Sequence, residues 1–431
     1  VIFEFVDVLG RRLVAWGVAS GIAGAIAIVA GSPFWAGVGA MFLAWGAVDA
    51  ALGVAARLLA ERSRRRTIGD QGARDRDTRR IRVVLLANAG LDVLYVALGA
   101  WLAASAGGDA WQAGVGVGIG IQGGFLFLFD LLHARWVPQP GPLLPAGVAL
   151  FAGPGHEGFR LSRLDDPPSD AEPADVRGAL LVHGFAGSPK ELRGLAAVLA
   201  SNGWLVEVPR LPGHGADFGQ VADYRAEDWL RSVEEGAATL RDSGATRLLV
   251  AGHSVGGSLA LATAARLAPD ALVLLAPFCW PVPSWQRLVG PVLRVFLPPG
   301  FRVFGRVDLA DPEVREGVEG FMPGVDLGDP AVAASMRELR VPLTLLEQLF
   351  RVSSMAAAGA RTARMPVLAI QGLADTVSRP SQTRDLLERL PSPPTYLEVE
   401  AGHDLATEAS PARDQVLGAV LAFAERVLPA G

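Results

Sequence analysis

The sequence predicts two unlike parts in one chain: an all-α membrane domain of four spans, then an α/β domain on a doubly wound, mostly parallel sheet with a cap insertion. Three observations carry this. The 431 residues are 51 % hydrophobic and only 19 % charged, whereas a soluble globular chain carries about 25 % charge. Apolar stretches of about 20 residues, the length a helix needs to cross a bilayer, are confined to the first third. From residue 178 onward, short apolar runs alternate with amphipathic helical patterns, as expected for a parallel sheet covered on both faces.

The first span runs from about Leu13 to Ala30, and Ser32-Pro33 breaks it. The others run from about Phe34 to Ala56, Val83 to Ala104 and Ala110 to Leu132. Arg11 and Arg12 resemble the basic start of a signal peptide. A second span follows almost at once, which favours a retained helix and a membrane domain over residues 1–136. Between spans two and three, "ERSRRRTIGDQGARDRDTRRIR" carries nine arginines, while Ser32-Pro33 and "SAGGD" carry none. Arg11, Arg12 and Arg135 fall on the side of this basic loop. The positive-inside rule then puts the chain in the cell (inner) membrane, with the N-terminus and everything after the fourth span in the cytoplasm.

Asp49, Asn88, Asp92, Gln122 and Asp130 interrupt the spans. Polar groups at membrane depth are costly and face a bundle interior or a cavity. Asn88 and Asp92, four apart, share a helix face. Interhelical hydrogen bonding is the simpler reading, and a ligand, ion or proton site the other. Asp130 stands close to the cytoplasmic interface. "GVGVGIGIQGG" at 114–124 offers small residues for close helix contacts.

Residues 137–147 read "VPQPGPLLPAG", with four prolines. No helix or central strand tolerates that, so 137–150 is a linker. The second domain then spans 151–431. "HEGFRLSRLD" reads as an edge strand and "DDPPSDAEPAD" as a surface loop. Six strands follow: "GALLVHGF", "WLVEVPRLPGHG", "TRLLVAGHS", "ALVLLAPF", "MPVLAIQGLAD" and "PTYLEVEAGHD". Helices separate them, the first with Ser188 as its cap. The net charge of −5, with no basic stripe on this domain, argues against a nucleic-acid partner. The single cysteine, Cys279, excludes an internal disulfide and a Cys-rich metal site, and reads as a small buried apolar residue.

Residues 252–256 spell G-x-S-x-G. With 51 Gly in the chain, chance supplies roughly 0.3 copies of this pattern. Ser254, however, sits between a strand and a helix, the context of a nucleophile elbow. The turn there is too tight for side chains at 252 and 256. A serine needs a base, and His403, after the last strand, is the candidate. His183 and His214 read as structural, His133 and His156 lack the context, and the His253 ring, next to the serine, points elsewhere. Asp375 is the acid that would orient His403, whereas Asp404 is adjacent to the histidine and poorly placed. The order Ser254, Asp375, His403 puts all three at carboxyl ends of strands. The oxyanion hole needs backbone N–H donors, from Val255 and from Phe185 in "HGFAG".

The segments "LLVHGFAGSPKELRGLAAVLASNGWLVEVPRLPGHG", "VAGHSVGGSLAL", "PVLAIQGLADTVS" and "VEAGHD" resemble the α/β-hydrolase superfamily. Within it they are most similar to carboxylesterases and monoacylglycerol lipases of the serine aminopeptidase S33 type. The resemblance covers about residues 178–425. It implies hydrolysis of carboxylic esters of small alcohols or monoglycerides, with no metal or organic cofactor. Ser254, Asp375 and His403 match the triad positions, and Phe185 and Val255 the oxyanion positions. The four-span module departs from soluble members. An insertion over about 278–364 corresponds to the cap, and its first half, "FCWPVPSWQRLVGPVLRVFLPPGFRVFGR", is apolar and basic. This half either lines an acyl pocket or lies on the inner leaflet.

The expected function is therefore that of a membrane-anchored serine hydrolase cleaving apolar or lipid-like esters through an acyl-enzyme. An amidase or peptidase using the same triad remains open, as does a membrane sensor or transport module with a hydrolase effector.

Overall fold

The computed structural model describes residues 2–68, 70–138, 151, 153–162, 176–280, 300–322 and 325–430. They fall into two compact units, the helical one at the start and the sheet-containing one after it. The proline-rich linker beyond Pro138, the "DDPPSDAEPAD" loop and cap residues 281–299 lie outside the described residues.

In the first unit α1 (Ile2–Val29), α2 (Pro33–Thr67), α3 (Gln71–Ala104) and α4 (Ala110–Trp136) are each long and apolar enough to cross a membrane. Their side-chain distribution is the reverse of a water-soluble bundle. Ile22, Ile26 and Leu94 are 59 %, 66 % and 64 % exposed, while Ser20, Asp49, Asp92 and Gln122 are buried. Lipid imposes no penalty on exposed aliphatic groups, so close packing and interhelical hydrogen bonds hold such helices. Three glycine pairs seven residues apart let α1 and α2 approach: Gly10 with Gly53, Gly17 with Gly46, Gly24 with Gly39. A Cβ on Gly17 would lie 2.4 Å from the Gly46 carbonyl oxygen. The α4 glycines divide between neighbours, Gly114 against Phe34 of α2 and Gly116 against Gly99 of α3. Gln122 ties α4 to α1, accepting from Trp16 Nε1 at 2.9 Å and donating to Ser20 Oγ at 3.1 Å.

Three expectations for this unit change. α1 begins eleven residues before Leu13, because Ile2, Phe3, Phe5 and Val6 bury against Ala60, Leu85 and Ala134. The arginine-rich segment is mostly helix rather than loop. Its Arg, Glu and Ala content favours helix, Glu61 pairs with Arg64 and Arg65 at 2.9 Å, and the Asp70 side chain caps α3 at Ala73 N–H. Asp130 is buried, hydrogen-bonded to Asn88, rather than reaching an interface.

The second unit is built on a sheet of seven strands among the described residues, ordered β1-β3-β2-β4-β5-β8-β9. These are β1 (Phe159–Leu161), β2 (Arg177–Val182), β3 (Leu205–Val208), β4 (Arg247–His253), β5 (Ala271–Leu275), β8 (Val367–Gly372) and β9 (Thr395–Val399). β1 pairs antiparallel with β3 at the edge, and the other pairings are parallel. Side chains alternate across a strand. Thus Leu180 and Val182 of β2 enter one core cluster, and Ala179 and Leu181 the other. α5 (Arg193–Ser201) and α12 (Arg413–Val427) cover one face. α6 (Ala226–Asp242) and α7 (Val255–Leu267) cover the other, α6 through Trp229, Leu230, Val233, Ala237 and Leu240 at helical spacing. α11 (Pro380–Leu387) joins β8 to β9.

Between β5 and β8 lie the short ribbon β6 (Gly300–Arg302) and β7 (Arg340–Pro342), with α8 (Pro312–Phe321), α9 (Pro330–Glu338) and α10 (Leu343–Ala360). α10 packs on α7 and buries Leu345, Leu349, Val352 and Ala356 in the core cluster. It lies so close to α7 that a Cβ on Gly359 would sit 2.1 Å from Leu261 O.

Candidate active site

The parallel pairing of β4 between β2 and β5 brings its end to the middle of the sheet, with Gly252 opposite Val182 and Leu274. The chain leaves β4 at His253 and enters α7 at Val255, so Ser254 alone makes the turn. Its φ of 52° and ψ of −119° lie in a region that L-residues occupy only under constraint. The constraint is visible. Ser254 N–H donates to Leu275 O at 2.8 Å, and Ser254 O accepts from Phe278 N–H at 3.0 Å. A Cβ at Gly252 would lie 2.3 Å from the Gly256 carbonyl, and one at Gly256 2.0 Å from Val182 O. Both positions therefore require glycine.

His403 Nε2 lies 2.9 Å from Ser254 Oγ, and His403 Nδ1 lies 2.8 Å from Asp375 Oδ2. The three residues are 5 %, 7 % and 4 % exposed, so these bonds are little weakened by water. Asp375 Oδ1 accepts from the N–H groups of Val377 and Ser378 at 2.8 and 2.9 Å. Burial opposes ionisation of Asp375, but the bonds from His403, the backbone and Gln371 outweigh it and hold the carboxyl below 3.8. Asp404 instead accepts from Ala406 and Thr407 N–H in its own loop.

The turn after β2 lies against the nucleophile. A Cβ on Gly184 would sit 3.2 Å from Ser254 Cβ. Phe185 follows, its ring 5.6 Å from that of His214 and 6.4 Å from that of Trp229. Val255 N belongs to the first turn of α7. Val255 thus follows Ser254 in the chain, and Gly184, the residue before Phe185, lies against Ser254 in space. Among the described residues no cluster of three or more His, Cys, Asp or Glu has a metal-binding arrangement.

Residues 175–410 match the profile of serine aminopeptidase, S33. The chain belongs to the serine aminopeptidase S33 family. Residues 12–131 match a family of unknown function, DUF6992. A thermostable monoacylglycerol lipase of Bacillus sp. (strain H-257) is 44 % identical over 84 residues, which is 20 % of this chain and 33 % of the lipase. A carboxylesterase of Bacillus subtilis (strain 168) is 31 % identical over 85 residues, 20 % of this chain and 35 % of the esterase. The chain spans about a third of the length of these curated relatives. The crystal structure of Paleococcus ferrophilus monoacylglycerol lipase is 20 % identical, with a TM-score of 0.46, covering 63 % of this chain and 98 % of that one. The S33 domain is thus an α/β hydrolase related to lipases and esterases, preceded by four long apolar helices.

The remaining histidines of the S33 domain are held away from Ser254 Oγ. His183 Nε2 accepts from Leu211 N–H at 3.0 Å, which places its proton on Nδ1, facing Gly184 O. Burial lowers the pKa of His183, and it lowers that of His214 to about 3, so both rings stay neutral. His156 bonds Ser188 Oγ at 2.7 Å, and Ser188 therefore does not cap α5 as expected. Cys279 is buried, as expected.

Two supports of the site escaped the sequence reading. Gln371 Nε2 donates to Asp375 Oδ2 at 3.0 Å and to Ser378 O at 2.8 Å, while its Oε1 accepts from Thr383 at 2.6 Å. A glutamine at the end of the apolar run "PVLAI" was its signal. Glu191 is the other: its Oε1 accepts from Gly184 N–H at 2.5 Å and lies 3.3 Å from His253 Nδ1.

Proposed function

We propose that this chain is a membrane-anchored serine hydrolase that cleaves carboxylic esters of apolar acyl groups, with Ser254 as nucleophile, His403 as base and Asp375 as its orienting acid. The observation that carries this is the unbroken chain of hydrogen bonds from Ser254 Oγ through His403 to Asp375, on a strained turn. His403 Nε2 takes the hydroxyl proton as Oγ attacks the ester carbonyl. The N–H groups of Phe185 and Val255 hold the oxyanion. Collapse breaks the C–O bond, and His403 returns the proton to the departing alcohol. Water then attacks the acyl-enzyme, giving its proton to His403, and the acid leaves as Ser254 is restored. Asp375, held ionised, stabilises the imidazolium at both steps. No metal or organic cofactor is needed.

An ester substrate is supported by the partial identity to a monoacylglycerol lipase and a carboxylesterase. Lipid-like character is supported by the four apolar helices, which would hold the site near a bilayer. The arginine bias of the connections supports an N-terminus and a catalytic domain on the cytoplasmic side. Amide or peptide hydrolysis is the second reading, favoured by the family's own description. A sensing or transport role for the helices would rest on Asp49 and Asp92. Each has a buried carboxylate oxygen without a hydrogen-bond partner among the described residues; unchanged folding and hydrolysis after Asp49→Ala and Asp92→Ala would remove that support.

Fluorophosphonate labelling of membranes bearing the full chain tests the main reading. Labelling should vanish in Ser254→Ala and fall in His403→Ala, and an ester panel should be turned over faster than matched amides. A folded wild type that is not labelled would refute it.

A further inference from the structure

Beneath Ser254 lies a charged pair that the reaction above does not use. Glu191 comes from the turn after β2, and His253 is the last residue of β4. Their side chains are 4 % and 5 % exposed. His253 Nδ1 faces Glu191 Oε1 at 3.3 Å, and Nε2 faces the backbone oxygen of His403 at 2.9 Å. A carbonyl oxygen and an ionised carboxylate only accept, so with Glu191 ionised each ring nitrogen faces an acceptor, the arrangement that suits an imidazolium.

We propose that Glu191 and His253 form a buried carboxylate–imidazolium clamp that holds the oxyanion turn and the His403 loop in register on either side of Ser254. The proposal rests on the serine hydrolase reading of the site. Both are positioning residues. Glu191 fixes Gly184 N–H at 2.5 Å, in the peptide directly before the one that carries the Phe185 N–H. His253 fixes the backbone carbonyl of the same residue whose ring reaches Ser254. The nucleophile follows His253 directly in the chain. Catalysis by donors fixed in advance depends on such placement, and a displacement of about 1 Å can cost about 100-fold.

The charged groups around His253 are consistent with the clamp. Burial opposes its charge, but Glu191 and the His403 carbonyl, with Asp404 from the same loop, outweigh this and lift the ring to about 9. Glu191 is likewise held below 4.5 despite burial, chiefly by His253. His183 also faces the pair, as a neutral ring. The His403 ring lies 5.0 Å away, tilted by 41°.

The test uses the full chain in detergent, with Glu191→Gln, which keeps an acceptor for Gly184 but loses the charge, and Glu191→Ala, which loses both. Rates on p-nitrophenyl butyrate are taken per site titrated with fluorophosphonate, so misfolded protein does not count. Glu191→Ala should lower kcat by about 10- to 100-fold with KM within about twofold. The deficit of Glu191→Gln should widen as pH rises from 6 to 8.5. ¹⁵N-histidine NMR should show His253 doubly protonated at pH 7.5 in the wild type and neutral in Glu191→Gln. An unchanged kcat per site, with only a lowered Tm, would overturn the clamp, and so would a neutral wild-type ring. If the wild type neither labels nor turns over ester, the hydrolase reading fails separately. The clamp then stands only if the His403 ring signals move in Glu191→Ala.

Discussion

His403 Nε2 meets Ser254 Oγ at 2.9 Å although the two residues stand 149 positions apart. The contact exists because β4 and β9 are parallel strands of one sheet, so both chain ends emerge on the same side. Asp375, leaving β8 between them, completes the row.

The acid can be removed without emptying its site. In Asp375→Asn the two backbone N–H bonds to Oδ1 can persist, but the amide no longer enforces the His403 tautomer. We expect a fall in kcat of about 10⁴-fold with the fold retained, measured as ester turnover alongside circular dichroism.

Stability should decline on both sides of neutrality, for different groups. The Asp375 carboxyl is held below 3.8 in the fold, so its contribution is full above that value and disappears as pH falls. His253 is raised from 6.5 to about 9, so its contribution is full below about 6.5 and disappears as pH rises through about 9. Tm measured from pH 6 to 10 should fall, and Glu191→Gln should flatten that slope. An equal slope in the variant would show that other groups set it.

Two glycines offer a matched contrast. Gly256→Ala forces a Cβ to within 2.0 Å of Val182 O, backbone against backbone, and should cost about 1–3 kcal/mol or more while abolishing fluorophosphonate labelling. Gly418, in α12, has nothing within 4 Å of its Cβ position. Gly418→Ala should stabilise by about 0.5–1 kcal/mol. Denaturant midpoints of the purified chain compare the two.

In the helical unit, Gln122→Leu removes that side chain's two bonds from α4 to α1. Interhelical hydrogen bonds in lipid are worth about 0.6 kcal/mol on average and about 1.7 at most. We expect a loss in that range, read by unfolding in mixed micelles. Gly17→Val, which must displace the Gly46 backbone, should cost more.

Topology is open to direct measurement because Cys279 is the single cysteine. In a Cys279→Ser background, a cysteine in place of Thr67, the last residue of α2, should react with a thiol reagent only from the cytoplasmic side. One in place of Gly107 should react from the opposite side. The reverse pattern would invert the proposed orientation.

Strand order along the chain and the tight turn at Ser254 were legible because each depends on local pattern. Alternating hydrophobicity marks a strand, and a glycine on either side of a serine marks a turn too tight for a Cβ. The four long apolar helices were legible because each carries an apolar run of the length a bilayer crossing needs. The seven-residue glycine repeat joining α1 to α2 was equally present in the sequence but needed the partner helix to give it meaning.

What the sequence by itself determined is the identity of the chemical groups and the secondary elements that carry them, since both follow from composition and period. Only the tertiary structure decided which polar groups serve the site. Ser188 looked like a helix cap and bonds His156 instead. Glu191 carried no signal in the sequence and is buried against Gly184 and His253. The reason is the same in each case. A polar side chain can satisfy itself with any donor or acceptor within about 3 Å, and the fold alone settles which distant group is brought there.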